Sequence, residues 1–512
     1  MIDYYLVIGA VVVYVESRLL YGISYPDLAK AVGVSLPHLR AIFDRYTGQP
    51  LAHYVMSRKI ARAAFDAVHN NDTFLEIAGR YGFTNLDTFT RAFRRVTGLA
   101  PQEFRKRKAP VGHARLCAGV YGVSVTDHQN ILKEMNNIYT NEQKRVTEGS
   151  VILYGVPKVH YGAFGGATPF PICLKAVANY MGMELDYEDA VVLCGAAFRL
   201  VWDTTAWNGG NVDVLLAFDD PAMVYRSGIE ALGREFRLLG RDGSAAAEEP
   251  EKFKMANNAS LKDAFIAFIR ERIDKGIPVI ALGIIGPPEA CVITGYRDNG
   301  QTLLGWNCFQ DSPEFASSVK IDESGYFETS SWWENRDTTA LMSMGEETGR
   351  PQALKAIIER AILALEPKQH GKYAKGIAAY DAWKKAILDE SQFGKNMVIP
   401  LQVERLMCQG DAMDCLSDGR SNAHKYFCKL AVRHPEQALY GRIAEQFAAC
   451  ATGAHKMYET LGGWERGDAQ MKALMKSETR RRLGELIDDC KTADERALVL
   501  LKELALELNQ DL

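Results

Sequence analysis

Twice within the first 110 residues the sequence repeats one phrase: a short helix, a glycine, a capping residue, and a second helix that stops at Thr-Gly. The first copy runs Ser24-Tyr25-Pro26-Asp27-Leu28-Ala29-Lys30-Ala31-Val32-Gly33-Val34-Ser35, continues through Leu39, Ile42 and Phe43, and stops at Thr47-Gly48. The second runs Phe74-Leu75-Glu76-Ile77-Ala78-Gly79-Arg80-Tyr81-Gly82-Phe83-Thr84-Asn85, continues through Phe89, Arg91, Phe93, Arg94 and Arg95, and stops at Thr97-Gly98. Glycine supplies the left-handed backbone of a tight corner. A Ser or Asn ahead of the next helix can accept from its unpaired amides. Helix, tight turn and capped second helix is the helix-turn-helix, whose second helix enters a DNA major groove.

Between the copies lie Ala52-His53-Tyr54-Val55 and Arg58-Lys59-Ile60-Ala61-Arg62-Ala63. With them, residues 10–106 closely resemble the DNA-binding domain of the AraC/XylS family. The resemblance is carried by Ile77-Ala78, Gly82-Phe83, Phe89, Phe93-Arg94-Arg95, Gly98, Pro101 and Phe104-Arg105. It implies base-reading positions at Pro37, Arg40 and Ala41 in the first copy and at Leu86, Asp87, Thr90 and Arg91 in the second. Ser35, His38, Asn85, Arg94 and Arg95 would complete the surface, with Arg94 and Arg95 nearer phosphates. Pro37 and Ala41 depart from the family's polar readers, since neither can hydrogen-bond a base edge. Arg91 is the stronger reader, because a guanidinium can fork onto guanine O6 and N7.

Charge agrees with one DNA-facing part. Residues 1–110 hold 15 Lys+Arg and 9 Asp+Glu, a balance of +6, while the rest sums to −10. A basic part joined to an acidic one suggests that only the first meets a polyanion. With 47% apolar and 24% charged residues the 512-residue chain is globular rather than disordered or rod-like. At roughly 150 residues per domain, three units are expected. The ten cysteines form no C-x-x-C or C-x-x-H cluster, which argues against structural zinc and suits free thiols in a reducing cytoplasm. The apolar start from Met1 to Val15 lacks a basic leader and falls short of the about 20 residues a membrane span requires. The expectation is a cytoplasmic protein with a buried first helix and no membrane contact.

We expect a DNA-binding domain over 1–108, a polar connector over 109–150 with one helix near Asn130–Arg145, a mixed α+β domain over 151–345, and a helical extension over 346–512. Strand candidates are Val212–Phe218, Pro278–Ile284, Ala290–Tyr296 and Thr302–Trp306, rich in β-branched and aromatic residues.

Around Pro169-Phe170-Pro171-Ile172-Cys173 a cysteine sits just inside a helix start, where the dipole's positive end lowers a thiol's pKa. Glu289-Ala290-Cys291 then opens one strand, and Gly305-Trp306-Asn307 closes the next. This arrangement resembles the papain-like C39 peptidases: Cys on a helix, His opening a strand, Asp or Asn ending the next. More closely, Cys173–Gly182, Gly195–Trp202 and Gly371–Trp383 resemble the BtrH-type acyltransferase fold over roughly residues 155–430. The resemblance implies a catalytic histidine where Glu289 stands. A cysteine without that base lacks its proton acceptor, and Asn307 has no imidazole to orient.

What survives a lost triad is a concave pocket. Cys173, Arg199, Trp202, Trp207, Glu289, Trp306, Asn307, Tyr380 and Trp383 are its candidate lining residues. Aromatics with a carboxylate suit a cationic or amphipathic small molecule. Core packing is the alternative for each aromatic, a buried ion pair for Arg199, and an exposed turn for Glu289. The Gly162–Gly166 cluster fits no Walker or dinucleotide pattern, so no cofactor is expected. The expected function is transcription regulation by double-stranded DNA binding, with a degenerate C-terminal sensor and room for a homodimer. The alternatives are an enzyme that keeps Cys173 chemistry, or a C-terminal module that docks a protein.

Overall fold

The computed structural model describes residues 7–8, 11, 14–15, 18–19, 23–47, 50–69, 72–97, 99–107, 144–159, 161, 166–241, 258–259, 261–310, 315, 319–322, 324–349, 351–394, 397–464 and 466–510. They fall into two compact units, one within the first 134 residues and one from Lys144 onward.

The first unit is all helix. Its described helices are α1 (Tyr25–Ala31), α2 (Leu36–Thr47), α3 (Leu51–His69), α4 (Phe74–Arg80), α5 (Leu86–Thr97) and α6 (Pro101–Arg107). The two repeated corners are the same structure. Gly33 and Gly82 take φ of +71° and +78°. Val34 N–H donates to Ala29 C=O at 3.1 Å, and Phe83 N–H donates to Ala78 C=O at 2.9 Å. This six-to-one closure satisfies carbonyls that the helix end leaves open. The second copy begins on a capping box: Glu76 N–H donates to Thr73 Oγ1, and Thr73 N–H donates to Glu76 Oε2 at 2.7 Å. Its core is a ladder of edge-on rings, Phe83–Phe89–Phe93–Phe104, with centroids 5.3–5.4 Å apart. Ile60, Ala63, Ala64 and Ala67 of α3 close over that ladder.

The second unit is built on a ten-stranded sheet. A hairpin of β1 (Lys144–Thr147) and β2 (Ser150–Leu153) pairs onto β7 (Ala290–Arg297). The remaining order is β5 (Asn258–Ala259), β4 (Arg234–Arg241), β11 (Ala340–Glu347), β6 (Val279–Leu282), β7, β8 (Thr302–Trp306), β10 (Phe327–Thr329) and β9 (Lys320–Ile321). Every pairing is antiparallel except β4 with β5. β7 is buried along nearly its whole length, which requires cover on both faces. Helices α7 (Pro169–Tyr180) and α10 (Lys262–Asp274) pack against it. A smaller sheet joins β3 (Val201–Asp203) to the hairpin β12 (Lys368–His370) and β13 (Tyr373–Lys375). Between and after the strands lie α8 (Tyr187–Leu193), α9 (Met223–Glu230), α11 (Leu354–Leu365) and α12 (Ile377–Leu388). The chain closes on α13 (Ile399–Arg433), α14 (Ala438–Leu461), α15 (Asp468–Leu474) and α16 (Ser477–Gln510), with α14 packed on both long helices.

Three expectations are corrected. Val212–Phe218 is not a strand but part of two 3-10 turns, Gly209–Val212 and Val214–Leu216. Asn208 Oδ1 accepts from Gly210 N–H and Asp213 Oδ1 from Leu215 N–H. Those side chains take up the amides that a ladder would have needed. Lys144 and Arg145, expected at a helix end, are strand, and residues 144–150 of the expected connector form the β1–β2 hairpin; residues 108–143 lie outside the described residues. The helical C-terminal part also contains the β12–β13 hairpin.

Candidate functional site

Helix α5 divides cleanly by face. Phe89, Ala92 and Phe93 are buried, while Leu86, Asp87, Arg91, Arg94 and Arg95 are exposed and Thr90 is half-buried. Among the described residues none of the guanidiniums of Arg91, Arg94 and Arg95 makes a hydrogen bond or ion pair. Arg80 and Arg105 behave differently. Arg80 is held by Asp66 at 2.7 Å and Asp72 at 2.5 Å. Arg105 donates to the Ala67 and Asp72 carbonyls at 2.6 and 2.7 Å and lies over the Phe74 ring. Two arginines brace the fold, and three on α5 are left for something outside it.

Asn85 is also a brace. Its Oδ1 accepts from Thr88 N–H at 2.7 Å, capping α5 and leaving only its amide NH2 for DNA. On α2, Pro37, His38, Arg40 and Ala41 are exposed beside buried Leu39, Ile42 and Phe43, and Ser35 precedes the helix exposed. Arg40 lies 5.8 Å from the Tyr25 ring centroid. The second helix of each copy therefore presents the residues that the sequence assigns to DNA, which include three arginines on α5 and one, Arg40, on α2.

A helix-turn-helix domain model matches residues 28–107. The multiple antibiotic resistance protein MarA of Escherichia coli strain K12 is 31% identical over 98 residues, 19% of this chain and 77% of MarA. The probable transcription factor PqrA of Proteus vulgaris is 35% identical over 85 residues, 17% of this chain and 70% of PqrA. The chain belongs to the AraC family. The HTH-type transcriptional activator AarP of Providencia stuartii is 29% identical over 99 residues, covering 19% of this chain and 73% of AarP. The C-terminal domain of AraT from Geobacillus stearothermophilus aligns over 22% of this chain and 92% of its own at 18% identity, with a TM-score of 0.20. The first unit is thus the DNA-binding part of an AraC-type transcriptional regulator.

In this AraC-family chain the nine sensor candidates do not converge on one pocket. Trp202 stacks on Trp383 at 5.9 Å and meets Trp207 edge-on at 5.4 Å. The Trp383 indole N–H donates to Gln409 Oε1 at 2.8 Å, and the Tyr380 hydroxyl donates to Asp494 at 2.6 Å. All four aromatics belong to a second apolar core between β3 and the C-terminal helices. Arg199 is committed to protein as well: it donates to the Val212 and Ala196 carbonyls at 2.8 Å and to Thr168 Oγ1 at 3.3 Å. These five residues are sealed and paired, as core residues are.

Cys173, Glu289, Trp306 and Asn307 lie on the larger sheet and α7. Cys173 is the fifth residue of α7 and fully buried. The expected lowering of its pKa is overturned. Burial pushes the thiol well up, and the nearby Cys308, Cys291 and Glu289 push it further. The helix dipole is outweighed because the anion would have no water around it. Cys308 is likewise raised by burial and by Glu289, to about 12. Glu289 is half-buried just ahead of β7, with its carbonyl accepting from Gly283 N–H at 2.9 Å. Asn307, in the orienting position, donates instead to the Gly283 and Ile285 carbonyls at 3.2 and 3.4 Å. It clamps the β6–β7 loop. Trp306 donates to the Val156 carbonyl at 2.8 Å and packs edge-on against Tyr326.

Tyr161, Cys291 and Cys308, to which the sequence reading assigned no role in the site, belong to the same electrostatic group as Cys173 and Glu289. Their signal was available: Cys291 follows Glu289 by two residues and Cys308 follows Asn307 by one. Among the described residues no group of three or more His, Cys, Asp or Glu could hold a metal ion. No described helix is long and apolar enough to cross a membrane.

Proposed function

We propose that this AraC-family chain is a sequence-specific regulator that reads double-stranded DNA mainly through α5, and that its second unit is a papain-like, catalytically degenerate sensor of a small molecule. The observation that carries the DNA reading is the set of exposed, unengaged guanidiniums of Arg91, Arg94 and Arg95 beside the paired Arg80 and Arg105. Arg91, nearest the helix start, is the base reader. Arg94 and Arg95 serve phosphates. In the second unit, the buried, pKa-raised Cys173, with Glu289 standing where an imidazole would be, supports a site without nucleophilic chemistry.

The test is selection of an operator from a random duplex pool with the full chain, followed by anisotropy titrations of wild type and Arg91→Ala across salt. Loss of discrimination at one base pair supports the reading. An equal loss on all sequences removes Arg91 from base recognition. Turnover of an acyl or peptidyl thioester by wild type but not Cys173→Ser would overturn the sensor assignment in favour of an enzyme.

A further inference from the structure

The β6–β7 loop carries Glu289 at one end and an unusual backbone at the other. Ile284, a β-branched residue, takes φ of +70°, a strained conformation that persists where surroundings over-determine it. The surroundings here are a second tight turn. Ile284 N–H donates to Thr338 Oγ1 at 3.2 Å, and that hydroxyl donates to the Trp332 carbonyl at 2.7 Å. Asn335 Nδ2 donates to the Gly286 carbonyl at 2.9 Å. A Cβ on Gly283 would lie 2.1 Å from the Asp337 carbonyl oxygen, so the two turns touch backbone to backbone. Arg241 fastens the second turn from behind by donating to the Asn335 and Trp333 carbonyls, both at 2.9 Å.

These locked turns line a cavity of about 510 Å³, within the about 300–1,000 Å³ usual for small-molecule sites. Ile284, Ile285, Pro287 and Phe315 give it an apolar wall, and Thr329 and Ser331 also line it. Among the described residues Asp337 is its one charged lining residue. Among the described residues the Asp337 carboxylate has no hydrogen-bond or ion-pair partner, and burial raises its pKa. One carboxylate with two hydroxyls, beside an Asn335 amide already engaged with Asp337 N–H and the Gly286 carbonyl, is too few hard ligands for a divalent cation. An anion would be repelled.

We infer that this cavity is a binding site for a small organic cation, an ammonium or guanidinium on an apolar body, with Asp337 as its counter-ion. As the seat of an effector it rests on the sensor reading above; as an amine site it stands alone. The loop would transmit occupancy, because its two ends hold Ile284 in the cavity wall and Glu289 beside Cys173.

Calorimetry of the full chain with phenethylamine, agmatine and the uncharged 2-phenylethanol tests this. The expected result is saturable binding of at least one of the two cations, absence of 2-phenylethanol binding, and weakening of about tenfold or more in Asp337→Asn. Ser331→Phe, which fills the cavity without touching the carboxylate, should abolish the same binding, and thermal melting should show both variants folded. Failure of both cations, or binding that Asp337→Asn leaves unchanged, overturns the inference. Asp337-dependent binding that leaves operator affinity unmoved keeps the amine site and refutes the effector role. An operator response to some other molecule that survives in Asp337→Asn keeps the sensor reading and refutes this site for it.

Discussion

The arginines of α5 and the buried Arg420 of the second unit have opposite fates. On α5, Arg91, Arg94 and Arg95 stand in water with no protein partner among the described residues. In the second unit, Arg420 is fully buried against Asp494 at 2.6 Å and also donates to the Ala197 carbonyl at 2.7 Å. Both sets look alike in a sequence: arginines on helices with mixed surroundings. The difference teaches that a charge's role follows from whether the fold already satisfies it. A paired, dehydrated guanidinium fixes where helices sit, and an unpaired one is available to a ligand.

Arg420→Ala is the strongest challenge to that contrast. It leaves the buried Asp494 carboxylate with only the Tyr380 hydroxyl to stabilise it and should cost about 3–5 kcal/mol in denaturant unfolding of the second unit. A loss under about 1 kcal/mol would show that the pair is hydrated or replaceable, and the contrast would weaken. Next in size is Lys175, on buried α7, whose pKa falls to about 8 chiefly through burial, with Asp186 and Glu188 opposing. The folded state then holds fewer protons than the unfolded one between about pH 8 and 10.5, so stability should rise with pH across that window. Lys175→Met should stabilise the unit by up to roughly 3 kcal/mol at pH 7, with the gain fading by pH 10. A gain that does not depend on pH would mean that packing, not charge, was relieved.

On the unpaired side, Arg91→Ala should cost about 1–3 kcal/mol on the selected operator and leave the melting temperature unchanged. Arg94→Ala and Arg95→Ala should each weaken all duplexes and reduce the salt slope by about one. A drop in melting temperature in any of the three would move that residue to the bracing class. The smallest effect is expected of Cys173→Ser: no change in operator affinity. Iodoacetamide at neutral pH should leave Cys173 unlabelled in the folded chain, because burial keeps it a thiol. Rapid labelling there would reverse the assignment of Cys173 as inert.

The first unit could be read from its residues because its determinants are local. A glycine at φ of +71° or +78°, a cap and an apolar stripe act within a dozen residues, and the aromatic ladder repeats at helical spacing. Even there, one assigned residue has a divided role: Asn85 spends its oxygen on capping α5 and keeps only its amide NH2 for DNA.

In the second unit the sequence by itself determined the strand pair that brackets Glu289, Cys291 and Asn307, since alternation and turn residues are local too. Which polar and aromatic groups end up paired was decided only by the tertiary structure. Tyr380 and Asp494 are 114 residues apart, and Trp383 meets Gln409 across two helices. Burial of Cys173 reversed a pKa direction inferred from the helix dipole, because desolvation depends on everything packed around the thiol. The Asp337 cavity left only Gly283, Gly286 and Pro287-Pro288 as a hint of a tight loop. Its left-handed Ile284 and its lone carboxylate exist because two distant turns were brought together, and no periodicity in the chain encodes such a meeting.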